Sequence, residues 1–256
     1  MKLWVVEIPF QDWKQVISGH PNLCDHNDHN DHNDHNDHND HKILPISIAG
    51  YKKYNDNPDN LFPNDLHAID ILDNKSKFGQ YMMIHFPESI PTIYYYRFDD
   101  QTYMSPSIPD GTKMIQKPNV SCGGDGISIV YHIDRQLSNH IISEYIVHRT
   151  YYAGHFLVLN GVIYEKVYFC SKQICRDGIQ RGRMRRYQVM DMLPVDDSIF
   201  PDILKKLSYS GFAVCDFTIC NQKIKIFEIN PRPGGSLVHN KVYFTRFIDR
   251  LYSLLC

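Results

Sequence analysis

The sequence predicts an α+β fold, in which long antiparallel strands are mixed with a few amphipathic helices. Two pairs of runs carry the strand reading. "YAGHFLVLNG" and "VIYEKVYFC" are joined at Asn160-Gly161, a strong hairpin signal, and "FAVCDFTIC" is followed after a short turn by "KIKIFEIN". The helical part rests on "NKSKFGQYMMIHF", "SIFPDILKKLSYSG" and "VYFTRFIDRLYSLL", whose apolar residues recur near helical spacing.

In chain order, "KLWVV" and "ILPISIAG" read as short strands on either side of "DHNDHNDHNDHNDHNDH", Asp25 to His41. That repeat has no apolar residue to offset the entropy of ordering it, so it reads as a disordered insertion. Its histidines and aspartates offer zinc or nickel ligands without a pre-organised geometry, which favours a neutral repeat expansion over a metal site. Residues 1–72 are therefore expected to form a reduced amino-terminal segment, and 73–256 the main domain. In the latter, Phe78, Tyr81, Met82 and Phe86 mark a helix, and "ESIPTIYYYRF" is a proline-punctuated connection into a strand. "TKMIQKPNV" and "GISIVYHI" flank the loop "SCGGDG", and "HIISEYIV" continues the strand run. Ile199, Ile203, Leu204 and Leu207 share a helix face, with Gly211 expected as the C-cap.

Composition excludes little but narrows the partners. With a net charge of −2 over 256 residues, no global field favours nucleic acid or a membrane surface. The seven cysteines include no C-x-x-C pair, and Cys170/Cys175 and Cys215/Cys220 read as reduced, mostly buried thiols. "MKLWVVEIPFQDW" is interrupted too early by Glu7 for a signal peptide, and no run reaches the roughly 18 apolar residues of a membrane span. The expectation is a soluble, cytoplasmic protein.

The chemistry concentrates in "FAVCDFTICNQKIKIFEINPRPGGS". A turn on Asn221 to Lys223 sets Asp216 opposite Glu228, with Asn230 on the same face; one residue less in the turn breaks that register. Opposed residues have Cβ atoms about 5 Å apart, and two carboxylates that close repel unless a cation lies between them. Hard oxygens suit magnesium. A solvated strand face bearing two acids is the plainer reading of the hairpin alone. Behind it, Pro231 stops the ladder, Arg232 offers a guanidinium to phosphate or carboxylate oxygens, and Gly234-Gly235 permit close backbone approach to a ligand. Lys117 ends a strand before Gly123, Gly124 and Gly126, a loop able to fold over phosphates yet matching neither a Walker A motif nor a Rossmann fingerprint. In "SEYIV", Glu144 and the following extended backbone can meet an adenine edge; core strand is the plainer alternative.

In this order, "NKSKF", "QKPNVSCGGDGI", "EYI", "GFAVCDF" and "FEINPRPGGS" resemble the ATP-grasp superfamily, most closely its carbamoyl-phosphate-synthase-like carboxylate ligases. The resemblance implies two α+β subdomains gripping ATP after a shortened amino-terminal α/β segment. It puts Asp216, Glu228 and Asn230 at magnesium-ligand positions, for two ions. Lys117 falls on the phosphate-contacting lysine, Gly123, Gly124 and Gly126 on the loop over the phosphates, and Glu144 with Val147 on the adenine hinge. Arg232 meets the transferred phosphoryl group or acyl phosphate, and Lys75 matches a lysine at the start of the region. "HRTYYAGH" contains no acid for the ribose.

The implied activity is an ADP-forming, magnesium-dependent ligase that activates a carboxylate for attack by an amine or similar nucleophile. Arg176, Arg181, Arg183, Arg185 and Arg186 read as a solvated loop or as an anionic-substrate patch, which keeps open a kinase acting on an anionic small molecule. A nucleotide-binding protein without turnover is the third alternative. No G-x-S-x-G elbow occurs, and His85, His132, His140, His148 and His155 read individually as surface or core histidines.

Overall fold

The computed structural model describes residues 2–6, 11–25, 41–45, 47–53, 62, 66–121, 123–172, 179 and 187–256. The interior of the Asp-His-Asn repeat and the five loop arginines lie outside the described residues. A small parallel sheet places β1 (Lys2–Val6) between β2 (Leu23–Asp25) and β3 (His41–Pro45). A second, antiparallel sheet contains β4 (Ile93–Phe98), β5 (Gln101–Met104), β6 (Met114–Pro118), β7 (Ser128–Val130) and β8 (His140–Glu144), in the order β5-β4-β8-β6-β7. The third is also antiparallel: β9 (Tyr151–Leu159), β10 (Val162–Ser171), β11 (Gln188–Met190), β12 (Gly211–Cys220) and β13 (Lys223–Asn230) run in the order β11-β10-β9-β12-β13.

Helices cover these sheets: α1 (Gln11–Ser18), α2 (Ile48–Lys53), α3 (Leu66–Asp73), α4 (Lys75–His85), α5 (Ile199–Lys206), α6 (Gly235–Val238) and α7 (Lys241–Leu255). The third sheet buries both faces, each in a different core. On one, Phe156, Cys215, Phe217 and Ile226 pack with Phe78 and Met82 of α4 and Ile203 and Leu204 of α5. On the other, Leu157, Phe169 and Phe212 meet Phe247 and Ile248 of α7 and Leu3 and Val5 of β1. The amino-terminal sheet thus shares the core of the third sheet. Where that cover stops, the strand face opens toward the second sheet and floors a cleft.

The expected strands and the three expected helices are present, with local corrections. "ILPISIAG" is a strand only as far as Pro45; Ile48 to Lys53 turns into α2, where Tyr51 reaches the core. The end of α5 is closed by Ser208 at φ +50°, with Tyr209 N–H bonding the Leu204 carbonyl, and Gly211 instead opens β12. Helix α3 went unread in the sequence, yet it buries Ala68, Ile69 and Leu72 beside α4. Asn160 and Gly161 both take positive φ, as a tight hairpin requires. Of the described cysteines, all free, Cys170 and Cys215 are buried, Cys24 and Cys220 half-buried and Cys256 exposed, so burial is less general than expected. No helix among the described residues is long and apolar enough to cross a membrane.

Candidate active site

The β12–β13 hairpin reaches the expected pairing by an unexpected route. Its turn is the shorter one, Asn221-Gln222, with φ of +52° and +62°, and it pairs Cys220 with Lys223. That register alone would set Asp216 opposite Phe227. A β-bulge at Phe227 absorbs one residue, so Phe217 pairs with Ile226 and Asp216 with Glu228. The bulge also switches the alternation of β13. Ile224, Ile226 and Ile229 enter the core, while Phe227, Glu228 and Asn230 line the cleft.

The cleft has a volume of about 760 Å³ and lies between the second and third sheets. Lys75, at the first turn of α4, is held there by its capping: Asn74 Oδ1 accepts the N–H groups of Ser76 and Lys77 at 3.0 and 3.2 Å, and Lys75 N–H bonds Asn119 O at 2.9 Å. Its ammonium, 7% exposed, sits 3.1 Å from Glu228 Oε2 and 3.3 Å from the Ser121 carbonyl. Asn230 Nδ2 donates to Glu228 Oε1 at 3.1 Å. Lys117, on β6, lies over the Phe227 ring at 5.4 Å.

Charge is shared unevenly between the two carboxylates. Burial and the charge of Glu228 push Asp216 well above the usual carboxylate range, against a hydrogen bond from Tyr151 and the charge of Arg232. Burial also disfavours the Glu228 anion, but Lys75, Lys117 and the bond from Asn230 outweigh it and hold that carboxyl low. A proton is therefore retained more readily by Asp216 than by Glu228. Burial, ahead of the Glu228 and Asp216 attractions and the Lys75 repulsion, lowers Lys117. Among the described residues no group of three or more His, Cys, Asp or Glu side chains gathers; the cradle is two acids and an amide.

Lys75, Lys117, Gly123, Gly124, Glu144, Asp216, Glu228, Asn230 and Arg232 all line this cleft, though they come from six separate segments of the chain. Gly126 and Val147 do not. Gly126, at φ +71°, serves the loop turn, where a Cβ would lie 2.7 Å from Pro118. The Val147 side chain is 79% exposed, and its neighbours Ile146 and His148 line the cleft instead. Glu144 Oε2 accepts the Thr92 N–H and hydroxyl, both at 3.1 Å, which fixes it at the end of β8. Gly234 is pressed against protein: its missing Cβ would lie 2.5 Å from His155 Cε1 and 3.1 Å from Val214.

Sequence reasoning missed the aromatic floor. Tyr151, stacked on Phe227 at 6.3 Å and 20°, donates to Asp216, and its own phenol is raised by burial and by the two carboxylates. Its alternation with Ala153 on β9, directly across from Asp216, was the available signal.

Comparison with known proteins came to the same region. A family model described as ATP-grasp domain matches residues 74–236. No curated protein sequence matches the chain. Among solved structures, D-alanine--D-alanine ligase from Bacillus anthracis superposes with a TM-score of 0.56 at 12% identity, over 99% of this chain and 96% of that one. Biotin carboxylase from Campylobacter jejuni gives 0.52 at 14% identity, over 81% of this chain and 53% of that one. N5-carboxyaminoimidazole ribonucleotide synthetase from Thermotoga maritima gives 0.50 at 14%, over 82% and 58%. At these identities the likeness is one of fold.

Proposed function

This chain belongs to the ATP-grasp domain family, and on that premise we propose that it is an ATP-dependent, magnesium-dependent ligase activating a carboxylate as an acyl phosphate. The observation that carries the reading is the Asp216–Glu228–Asn230 cradle facing Lys75 and Lys117 in one cleft. Two half-buried carboxylates this close repel unless a cation lies beside them, and hard oxygens from one or two carboxylates suit magnesium, whose other ligands are usually phosphates and water. When bound, magnesium supplies charge neutralisation at the phosphate oxygens.

Within 73–256, taken as the gripping unit, the residues divide the work. Lys75 and Lys117 face the phosphates with positive charge, and Gly123 and Gly124 let the loop close over them. Glu144, fixed by Thr92, meets the base with the backbone that follows it. A substrate carboxylate oxygen attacks the γ-phosphorus of ATP, ADP leaves, and Arg232 steadies the acyl phosphate formed. An amine or similar nucleophile then displaces phosphate. Positioning and electrostatics supply most of the acceleration in such a transfer.

Hydroxylamine trapping tests this. Incubation with ATP, magnesium and a panel of carboxylic acids is expected to yield ADP and a hydroxamate with one of them. Phosphate transferred to a hydroxyl of an anionic small molecule would replace the ligase with a kinase, and ATP bound without turnover would leave a binding protein.

A further inference from the structure

On β9, Tyr151 and Ala153 line the cleft while Leu157 lies in the core beneath α7. His155 stands at the border between them, 1% exposed, with its ring edge-on to Phe169 at 5.2 Å. Its Nε2 is 2.8 Å from Ser236 Oγ, and its Nδ1 is buried without a partner. Ser236 itself lines the cleft, as do Arg232 and Gly235 a few residues away along the same loop.

These contacts decide where the imidazole proton resides. A proton on Nδ1 would leave a buried N–H unpaired, and orphaned N–H groups are rarer than orphaned acceptors. Burial, aided by the Arg232 charge, holds His155 down to about 3, so the doubly protonated ring is excluded near neutrality. The neutral ring therefore carries its proton on Nε2 and donates to Ser236 Oγ. With its oxygen occupied as an acceptor, the serine turns its own proton elsewhere, and a hydroxyl that accepts on one side is a stronger donor on the other.

We propose that Ser236 is an oxyanion donor in the cleft wall, held in place by His155, and that with Arg232 it receives a carboxylate of the substrate. His155 is a positioning residue here; Ser236 touches the ligand. The close fit of Gly234 against the imidazole keeps the loop, and hence the hydroxyl, at a fixed distance from the ring. A guanidinium and a polarised hydroxyl lining one cleft offer donors to the two oxygens of a carboxylate. Naming that carboxylate as a substrate group rests on the ligase reading; the hydrogen-bond arrangement does not.

The test uses the full chain and two readouts that need no turnover. Nitrogen-15 correlation spectra of the histidine rings, with His155 assigned by its loss in His155→Gln, are expected to show the Nε2–H tautomer at pH 7. The Nδ1–H tautomer would overturn the arrangement. Acetate is then titrated against the Gly235 amide. The wild type is expected to shift saturably, Ser236→Ala and His155→Phe to raise the apparent Kd about tenfold, and His155→Gln, which keeps a donor near Nε2, to stay within about twofold. Acetate affinity unchanged in Ser236→Ala overturns the carboxylate assignment. If both readouts behave as expected but no hydroxamate forms, the ligase reading fails and the anion site stands. Should a variant fail to fold, the wild-type tautomer still decides.

Discussion

Asp216 stands directly opposite Glu228, and the β-bulge at Phe227 is what brings them there. Burial and the charge of Glu228 raise Asp216, while Lys75 and Lys117 hold Glu228 low, so the two facing acids differ in their hold on a proton.

Glu228→Gln keeps the shape of the cradle and its bond to Asn230 but removes a charge from it. The expected outcome is a normal circular-dichroism spectrum with ATP turnover reduced by about two to three orders of magnitude. Full turnover in this variant would remove Glu228 from the metal site.

Magnesium bound by this pair would compete with protonation of Asp216. Because burial and the Glu228 charge raise Asp216, a cation there competes with a proton, and its affinity is expected to grow as pH rises. Calorimetry of magnesium binding in two buffers of different ionisation enthalpy should report release of up to about one proton. Chelation should restore that proton; binding with no proton release at any pH contradicts that competition.

Lys75 is the counter-charge that keeps Glu228 ionised, at 3.1 Å and 7% exposed. In Lys75→Met the carboxylate keeps Lys117 but loses its nearest cation. Since Glu228 is 26% exposed, solvent limits the loss to about 1–3 kcal/mol, well short of a fully buried pair. A chemical denaturation midpoint equal to the wild type would show that the pair contributes nothing to stability.

His155 should impress a pH dependence on stability. Its folded value is depressed to about 3 from 6.5, so the unfolded chain binds the proton first. Stability attributable to this group is complete above about pH 6.5 and declines by up to about 1.4 kcal/mol per pH unit as pH falls toward 3. Comparing wild type with His155→Gln by denaturation from pH 8 to 4, the variant should lack that component. Identical slopes would mean that His155 titrates normally.

Gly234→Ala isolates the packing of the loop. The residue has an ordinary φ of −97°, so the cost is steric: a methyl group 2.5 Å from His155 Cε1. Destabilisation of about 1–3 kcal/mol is expected, together with weaker ATP turnover as Asn230 and Arg232 shift with the loop. A melting temperature equal to the wild type would show that the loop yields freely.

The sequence by itself determined what depends on near neighbours. Strand alternation and turn residues marked the two hairpins, and the order of short motifs marked the family, because both signals are written within a few residues of each other. The pairing of Asp216 with Glu228 was legible too, although by way of a longer turn than the one formed. Tertiary structure decided the rest. Whether the extra residue of the hairpin lay in the turn or in a bulge depended on which isoleucines the core would accept; burying Ile224, Ile226 and Ile229 together required the bulge. Helix α2 was likewise set by packing between distant segments, since Tyr51 shares a core with Ile69 and Leu204. Lys75 and Glu228 are 153 positions apart, and His155 and Ser236 are 81, so neither contact leaves a periodic trace in the sequence. Such contacts exist because the sheets pack, and only the packed chain reveals them.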